Sequence, residues 1–401
     1  MPSWRSASRI FPGSHACLRR SCRMKIVEVQ WHNYLLPFRN RFSTAHGVMT
    51  AREGIIVQIT TEAGFSGIGE IAPLPAFGGE SFTDACSLLP ALVARLHDKT
   101  LDEALELVLT EGKAGTKAIY AFPAPALCGL EIALLDAIGK AEGCGVCTLL
   151  SPSGTEPRAS VPVNAVIGAL APGAAIAAAR EARNNGYRCV KLKVGLGGSI
   201  HEEIEYVAAV RDAIGPAMHL RLDANEAWNF EEAIAILSQC VSYNIQYVEQ
   251  PLKAHDLTGM HALRQAVSIP IAVDEALHSL ESAQLVLDNE AADVLVIKPQ
   301  LAGGLRIGQQ IIRLAAERGV HSVITSTIEA GIGLVAALHL AAASPSVTLE
   351  CGLATLHLLV DDLVMSDLPV RGGLLAVPTG SGLGVALDRE ALDRYSFRGI
   401  D

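Results

Sequence analysis

Hydrophobic and polar positions follow one pattern before about residue 150 and another after it. In the first part, short runs rich in β-branched residues are separated by turn residues, which is typical of strands. These runs are Ile26–Pro37, Gly54–Thr60 and Gly67–Ile71. Helical periodicity then predicts helices at Asp84–Leu96, Leu101–Leu109 and Pro125–Glu142. Three strands followed by helices predict a separate α+β domain.

From Ser160 onward, short apolar strands alternate with helices. The predicted strands are Val161–Val166, Cys189–Val194, His219–Leu222, Gln246–Glu249, Ile271–Val273, Asp293–Ile297, Ser322–Thr325 and Val347–Leu349. The predicted helices are Gly173–Asn184, His201–Ile214, Phe230–Val241, Thr258–Ala266, Leu280–Asp288, Leu305–Arg318 and Gly331–Ala342. Such repetition indicates βαβ units with right-handed crossovers, which form either a barrel or an open sheet. Eight strands favour the barrel.

The composition fits this division and argues against two classes of partner. The chain has 401 residues and a formal net charge of −10, and half of its residues are hydrophobic. This length suits a large α/β barrel of roughly 200–250 residues with a second domain. The acidic balance argues against nucleic acid, because phosphate binding needs clustered Lys and Arg. The sequence contains no apolar run of about 18 residues that would indicate a membrane span.

Cysteine usage and the first residues bear on where the protein resides. Nine scattered cysteines fit a reducing cytoplasm better than a disulfide framework. Residues 1–23 contain five Arg and no acid, as a transit peptide can. However, the segment from Met24 to Val29 reads as the natural beginning of the first strand. We therefore expect residues 1–23 to be an extension or the product of an over-called start codon, and the protein to be cytoplasmic.

Ionisable residues lie at the ends of five consecutive predicted barrel strands. In chain order they are Lys191 and Lys193, Asp223, Glu249, Asp274 and Lys298. The steps from Lys193 are 30, 26, 25 and 24 residues, each the length of one βα unit. The C-terminal ends of parallel barrel strands meet on one face, where active sites form. A single acid at a strand end is usually a helix cap or a surface ion pair, so the prediction rests on the whole series.

This series of residues predicts a particular chemistry. Three adjacent carboxylates raise one another's pKa unless a cation compensates them, and oxygen ligands without His or Cys select Mg²⁺, or Mn²⁺, over Zn²⁺. A lysine beside a metal-bound substrate carboxylate can remove the neighbouring proton. Lys193 and Lys298 flank the predicted metal, and Lys191 projects to the same side of its strand as Lys193. A nearby cation such as Lys191 would lower the pKa of Lys193, which a base requires.

These residues resemble the motifs by which the enolase superfamily is identified, in particular its muconate-lactonizing subgroup. The motifs are Lys191-Leu-Lys193, Asp223-Ala-Asn225, Glu249-Gln-Pro251, Asp274-Glu275 and Lys298-Pro-Gln-Leu-Ala-Gly-Gly304. The resemblance covers nearly the whole chain from Met24. It implies magnesium bound by Asp223, Glu249 and Asp274, with Lys193 as base, Lys191 as the neighbour that lowers its pKa, and Lys298 on the opposite face of the substrate.

The resemblance also implies the architecture. The expected fold class is α/β, a modified TIM barrel of the (β/α)7β type. An N-terminal α+β capping domain would lie over the barrel and would be completed by the C-terminal tail. The implied limits are 24–150 for the capping domain, 151–358 for the barrel and 359–401 for the returning segment.

Two stretches resemble the o-succinylbenzoate synthases of this subgroup. They are Gly69–Ser81 and Ser326–Gly333, where Thr327 replaces a usual Ser. The resemblance implies magnesium-dependent dehydration of 2-succinyl-6-hydroxy-2,4-cyclohexadiene-1-carboxylate in menaquinone or phylloquinone biosynthesis. N-acylamino-acid racemase, dipeptide epimerase and muconate cycloisomerase remain alternatives, and an inactive barrel that serves as a binding module is a remote one. Leu349–Gly352 stands where dipeptide epimerases usually carry an Asp-X-Asp motif, which counts against that activity.

Substrate contacts are expected from both domains. Phe77 beside Gly78-Gly79 predicts a lid, and Arg39–His46 predicts a second flap. After the seventh barrel strand, Ser326 and Thr327 are expected to line the site. The backbone N–H groups of the turn at Gly331 are expected to hold a substrate carboxylate, and Asn225 to support the metal ligands. The expected partner is a small carboxylate, with neither nucleic acid nor membrane, and symmetric self-assembly is a common default.

Overall fold

A computed structural model describes residues 23–44, 47–77, 79–114, 122–168 and 171–397. The expectations for residues 1–22, for Gly78 and for the end of the flap at residues 39–46 lie outside these residues or their described side chains.

The N-terminal part is a three-stranded antiparallel sheet covered by helices. Its strands are β1 (Ile26–Thr44), β2 (Gly47–Thr61) and β3 (Ser66–Ile71). Its helices are α1 (Phe82–Ala94), α2 (Leu101–Ala114), α3 (Ala124–Glu142) and the short α4 (Val146–Leu150), and residues Pro75–Phe77 form a single 3-10 turn. Every strand and helix predicted here is present, and the predicted α+β arrangement is confirmed.

Two glycines set how closely helix α3 approaches strand β3. A Cβ atom on Gly69 would lie 2.0 Å from the carbonyl oxygen of Gly129, and one on Gly129 would lie 2.4 Å from Ile71 Cγ1. Neither position has room for a side chain. The strand that carries Glu70 is therefore held directly against the helix.

The larger part of the chain is a seven-stranded parallel sheet in which neighbours along the chain are neighbours in the sheet. Its strands are β5 (Ala165–Ile167), β6 (Cys189–Lys193), β7 (His219–Asp223), β8 (Ile245–Glu249), β9 (Ile271–Val273), β10 (Val294–Ile297) and β11 (His321–Ile324). The helices α5 to α12 are Pro172–Asn184, Ile200–Ile214, Phe230–Cys240, Leu257–Ala266, Leu280–Asp288, Pro299–Ala302, Leu305–Glu317 and Gly331–Ala343, and further 3-10 turns lie at Val241–Tyr243 and Leu356–Leu358. None of the described helices is both long and apolar enough to span a membrane.

Local sequence accounts for where several of these helices begin. Helix α6 begins after Ser199, whose side chain accepts from the backbone of Glu202 while the Glu202 carboxylate accepts from the backbone of Ser199. Helix α7 begins with the same reciprocal arrangement between Asn229 and Glu232. Each pair satisfies two N–H groups that would otherwise lack a partner at the helix start.

The first and last predicted barrel strands are wrong in position. Val161–Val166 is interrupted, because its first half forms β4 (Ser160–Pro162), which pairs antiparallel with β13 (Leu374–Ala376). Val347–Leu349 is not a strand, because the Val347 N–H donates to the Ser344 carbonyl in a turn. The pairing comes a few residues later, where Cys351 bridges Val163 and Gly352 bridges Thr325, both in parallel. These two residues join the opposite edges of the parallel sheet and close it as a barrel.

The C-terminal tail contacts both parts of the molecule. Strand β12 (Val370–Arg371) and β13 form a hairpin that extends the sheet of β4 rather than that of the capping domain. Farther along, α13 (Arg389–Tyr395) packs on β1, and Ser396 forms a bridge with Tyr34 of that strand. The domain limits given above therefore stand as a proposal, with the hairpin belonging to the barrel side.

A buried carboxylate ties the capping sheet to the barrel. Glu70, on β3, is fully buried and accepts hydrogen bonds from Tyr34 Oη at 2.5 Å and from the N–H groups of Ala330 and Gly333, each at 2.8 Å. Ala330 and Gly333 lie at the start of α12. Burial raises the pKa of Glu70 to about 7 in spite of these hydrogen bonds. The backbone of Glu70 also accepts from Gln300 Nε2 at 2.8 Å, which connects β3 to the short helix α10 after β10.

Replacing Glu70 with Gln removes its titration. A carboxyl group with a raised pKa in the folded state stabilises the protein below the unfolded value of 4.5, and this contribution is lost as pH rises through about 7. The unchanged protein should therefore lose about 3 kcal/mol of unfolding free energy relative to Glu70→Gln as pH rises over this range. Urea unfolding at several pH values measures the difference. The exposed Glu53→Gln on β2 is the control, and a difference independent of pH would contradict the account.

Candidate active site

All the predicted metal ligands and lysines lie at the C-terminal end of the barrel. Strands β6, β7 and β8 end at Lys193, Asp223 and Glu249, whereas Asp274 and Lys298 directly follow β9 and β10. These strands are consecutive neighbours in a parallel sheet, so their C-terminal ends face the same side. The spacing of one βα unit therefore brings these side chains into a single cluster.

The Lys191 ammonium lies between two buried carboxylates. Its Nζ is 3.0 Å from Asp223 Oδ2 and 2.7 Å from Glu249 Oε1. Burial, together with the negative charges of Asp223 and Asp274, raises the pKa of Glu249 to about 7. Burial would raise the pKa of Asp223 as well, but Lys191 and Lys193 hold it below its usual range. Glu249 thus needs more positive charge nearby to be fully ionised at neutral pH.

Lys193 has a different set of partners from Lys191. Its Nζ is 2.6 Å from Asp223 Oδ2 and 2.5 Å from Asn225 Oδ1. The Lys193 side chain keeps 22% of its surface exposed, against 12% for Lys191. Lys193 is therefore the lysine of this strand with more access to a molecule above the cluster.

Lys298 forms the other side of the cluster. Its ammonium makes an ion pair with Asp274, and both side chains are nearly buried. The ring of Phe77, from the capping domain, lies over Lys298 with its centroid 4.9 Å from Nζ, a cation–π geometry. The predicted lid residue is therefore in contact with the site.

The predicted contacts after the seventh barrel strand are arranged differently from our expectation. The Gly331 N–H donates to Asp362 at 2.7 Å, and the neighbouring Gly333 N–H donates to Glu70. Because the Asp362 carboxylate already accepts from the Gly331 N–H, the expectation that this group holds a substrate carboxylate does not fit. Ser326 is hydrogen-bonded to Thr355, and Thr327 to Glu329 within its own loop.

The acids offer oxygens that suit a magnesium ion. Glu249 Oε2 is buried without a hydrogen-bond partner in the described part of the chain, which is unfavourable unless the atom meets a donor or a cation. Asp223, Glu249 and Asp274 provide only carboxylate oxygens, which Mg²⁺ prefers. Among the described residues, no three acid, His or Cys side chains are arranged as ligands of one ion, and lysine ammonium groups contact each of these acids. The donor set and the unpartnered oxygen nevertheless fit the ion.

Two residues that hold the site in place stand in the motifs quoted above but were given no role by sequence reasoning. Gln250 is fully buried, and its Oε1 accepts from the Asp274 N–H at 3.1 Å, which fixes the backbone of that acid. Glu275 Oε1 accepts from Asn225 Nδ2 at 2.8 Å, and burial and the charge of Asp274 raise the pKa of Glu275 to about 8. Each directly follows a predicted metal ligand, and this adjacency is the signal that would have identified them.

A buried ion pair lies below the acids in the barrel interior. Arg221, two residues before Asp223, is fully buried and its Nη2 is 3.0 Å from Glu350 Oε2. Its guanidinium also stacks over the ring of Tyr247, 4.7 Å from the centroid. Glu350 immediately precedes the residues that join the two edges of the sheet. The pair thus fixes the closing segment beneath the site.

Comparison with known proteins agrees with this geometry. A family model described as Enolase C-terminal domain-like matches residues 174–391, and one described as MenC, N-terminal domain, matches residues 26–108. An o-succinylbenzoate synthase from Thermobifida fusca is 41% identical over 219 residues, which are 54% of this chain and 67% of that protein. An L-Ala-D/L-Glu epimerase from Bacillus subtilis is 29% identical over 377 residues, 90% of this chain and 97% of that protein.

A solved structure shares the whole architecture. The muconate lactonizing enzyme of Pseudomonas fluorescens, in complex with muconolactone, superposes with a TM-score of 0.85 at 25% identity. The match covers 94% of this chain and 100% of that one. The predicted fold class is therefore confirmed.

Removing Arg221 should leave a buried negative charge without its cation. Arg221→Met leaves Glu350 Oε2 without its buried cation, while only His219 still contacts the other oxygen, and should lower the free energy of unfolding by about 3–5 kcal/mol. Adding Glu350→Gln to that variant removes the stranded charge, so the double variant should be more stable than Arg221→Met alone. Urea unfolding of both single variants and the double variant measures this coupling. Strictly additive effects would show that the pair does not act as a unit.

Proposed function

The chain belongs to the enolase superfamily, and on this premise we propose that it is a magnesium-dependent o-succinylbenzoate synthase. It would remove water from 2-succinyl-6-hydroxy-2,4-cyclohexadiene-1-carboxylate, beginning with the proton next to the carboxylate. The observation that carries the proposal is the convergence of Lys193, Lys298 and three buried carboxylates at the C-terminal end of the barrel. Proton removal beside a carboxylate needs a base on one side of the carbon and positive charge around the resulting anion.

Magnesium would be held by Asp223, Glu249 and Asp274. When bound, the cation supplies positive charge that stabilises the substrate carboxylate and the enediolate formed from it. Glu249 Oε2, which is buried without a partner in the described residues, gains one by this assignment.

Lys193 would take the proton and later return it. Asp223 and Asn225 hold its Nζ at the edge of the cluster. The unprotonated amine takes the proton as the C–H bond breaks, and the pair of electrons delocalises into the carboxylate. The resulting ammonium then donates a proton to the departing hydroxyl on the same face, so that the C–O bond breaks, water leaves and the ring becomes aromatic.

Lys298 and Phe77 would act from the other side. The Lys298 ammonium, held by Asp274, places positive charge across the substrate ring. Phe77 covers this lysine with an apolar face and would exclude water while the anion exists. In a racemase the same two lysines would divide the work, one on each face of the carbon.

The choice of substrate is supported by two observations. The similarity to the Thermobifida fusca synthase and to the MenC N-terminal model favours dehydration. The side chain of Glu350, at the position where dipeptide epimerases carry an acidic motif, is bound by Arg221 and by His219 Nδ1 at 2.9 Å. It is therefore committed to the barrel interior rather than to a substrate amine. A cytoplasmic location and a symmetric homo-oligomer belong to the same proposal.

Racemisation or epimerisation is the second candidate. The Bacillus subtilis epimerase aligns with more of this chain than the synthase does, and lysines stand on both flanks of the cluster. Product formation from the succinyl cyclohexadiene carboxylate, followed by ultraviolet absorbance with magnesium and with EDTA, tests the first candidate. Magnesium-dependent turnover supports dehydration. Its absence, together with exchange of the α-proton of N-acylated amino acids for deuterium, would transfer the assignment to the second candidate.

Lys193 is the residue whose loss should separate chemistry from metal binding. Lys193→Ala should reduce turnover to background, because it removes the amine that would take the proton next to the carboxylate. Magnesium affinity, measured by calorimetry, should change little. Lys253→Ala, an exposed lysine in the loop after β8, serves as the control and should keep full activity. A largely active Lys193→Ala would overturn the assignment of the base.

Glu249 should determine metal affinity. Glu249→Gln replaces one charged oxygen ligand and should weaken magnesium binding by more than about tenfold, as loss of ligands or of their supports does. Glu226→Gln, at the rim near the end of β7, is the control, since its carboxylate accepts from the Ala254 backbone instead. Calorimetric titration with Mg²⁺ measures both, and equal affinities would contradict the ligand assignment.

A further inference from the structure

Glu275 lies at the same C-terminal end of the barrel as the proposed metal ligands but has a separate hydrogen-bond partner. It directly follows Asp274 and keeps only 9% of its surface exposed. One carboxyl oxygen, Oε1, accepts a hydrogen bond from Asn225 Nδ2 at 2.8 Å. The other, Oε2, is buried without a partner among the described residues. A nearly buried acid is thus committed to a single amide, which itself contacts a proposed catalytic group.

The Asn225 amide is held between two partners of opposite character. Its Oδ1 accepts from the Lys193 Nζ at 2.5 Å, and its Nδ2 donates to Glu275. If the amide were flipped, its NH₂ would face the lysine donors and its oxygen would face a carboxyl oxygen. The contact with Lys193 would be lost, and the contact with Glu275 would survive only if that carboxyl group were protonated and donated to the amide oxygen. Because one acceptor oxygen suffices, the bond to Glu275 forms whether that carboxyl is ionised or protonated.

The backbone also prepares this position. Asn225 has a φ of 43°, in the left-handed region that Asn tolerates better than most residues. Its N–H lies 3.3 Å from Asp223 Oδ1, which folds the chain back over the end of β7. The turn therefore presents the amide to Lys193, and the orientation of the amide is left to Glu275.

We infer that Glu275 is a positioning residue that acts on Lys193 through the Asn225 amide. Its carboxyl group fixes the amide with the oxygen toward Lys193. That oxygen and Asp223 each accept a hydrogen bond from Lys193 Nζ. Two of the three positions around the nitrogen other than its bond to carbon are then occupied, and the third faces the substrate. The inference rests on the proposed role of Lys193 as the base, but the orientation of the amide is a property of the protein alone.

The matched variants are Glu275→Gln, which keeps an acceptor oxygen, and Glu275→Leu, which removes it. Glu275→Leu should lower kcat by about 10- to 100-fold, as loss of a supporting hydrogen bond does at such sites, with little change in KM. Glu275→Gln should restore kcat to within about threefold of the unchanged protein. Magnesium affinity, measured by calorimetry, should be the same in both variants.

Asn225→Gly gives a second route to the same conclusion and remains available if Glu275→Leu does not fold. Glycine accepts the φ of 43° and removes the amide. The Asn225→Gly variant should lose as much kcat as Glu275→Leu, and the two changes together should lose no more than either alone.

A spectroscopic readout separates this inference from the proposed function. In metal-free protein labelled with ¹⁵N-asparagine, the Asn225 side-chain signals, identified by their loss in Asn225→Gly, should keep their positions in Glu275→Gln and move in Glu275→Leu. This result would hold even if the protein acts on another substrate.

Three results would overturn the inference. They are unchanged Asn225 signals and kcat in Glu275→Leu, an equal loss of kcat in Glu275→Gln and Glu275→Leu, and a loss of kcat that parallels a loss of magnesium affinity.

Discussion

Buried negative charge is unfavourable unless positive charge or hydrogen-bond donors lie within a few ångströms, and the C-terminal end of this barrel is arranged around that constraint. Asp223 and Glu249 are fully buried, so their ionised forms have lost nearly all contact with water. Lys191 and Lys193 stabilise Asp223, whereas Glu249 keeps a raised pKa and an unpartnered oxygen. The excess of buried negative charge suits Glu249 to a divalent cation. It also holds two lysines beside the place where a substrate carboxylate would bind.

The surrounding structure holds this cluster from two directions. Below it, Arg221 and Glu350 fix the segment that joins the edges of the sheet. Above it, Glu70 and Gln300 attach the capping sheet to helix α10, after β10, and to the start of helix α12, after β11. These attachments lead directly into the Pro75–Phe77 turn, which places an aromatic ring over Lys298. The capping domain is therefore positioned by buried polar contacts and not only by apolar packing.

The sequence predicted the features that depend on periodicity. Apolar strands repeated at the length of one βα unit, so the acids and lysines that follow them had to converge. It did not predict contacts between distant segments. The pairing of β4 with β13, the capture of the Gly331 N–H by Asp362 and the turn at Val347 all depend on partners or geometry that no local pattern specifies. The role of Glu275 was missed for a related reason, because it depends on the Asn225 amide, which follows another strand.

The most direct test of the account is anomalous diffraction from crystals of this protein grown with Mn²⁺, an ion that accepts the same oxygen ligands as Mg²⁺. The account predicts one strong anomalous peak within bonding distance of Asp223, Glu249 and Asp274, with Lys193 and Lys298 on either side of it. A structure at saturating Mn²⁺ in which these three acids remain paired only with lysines, and no peak lies among them, would contradict it.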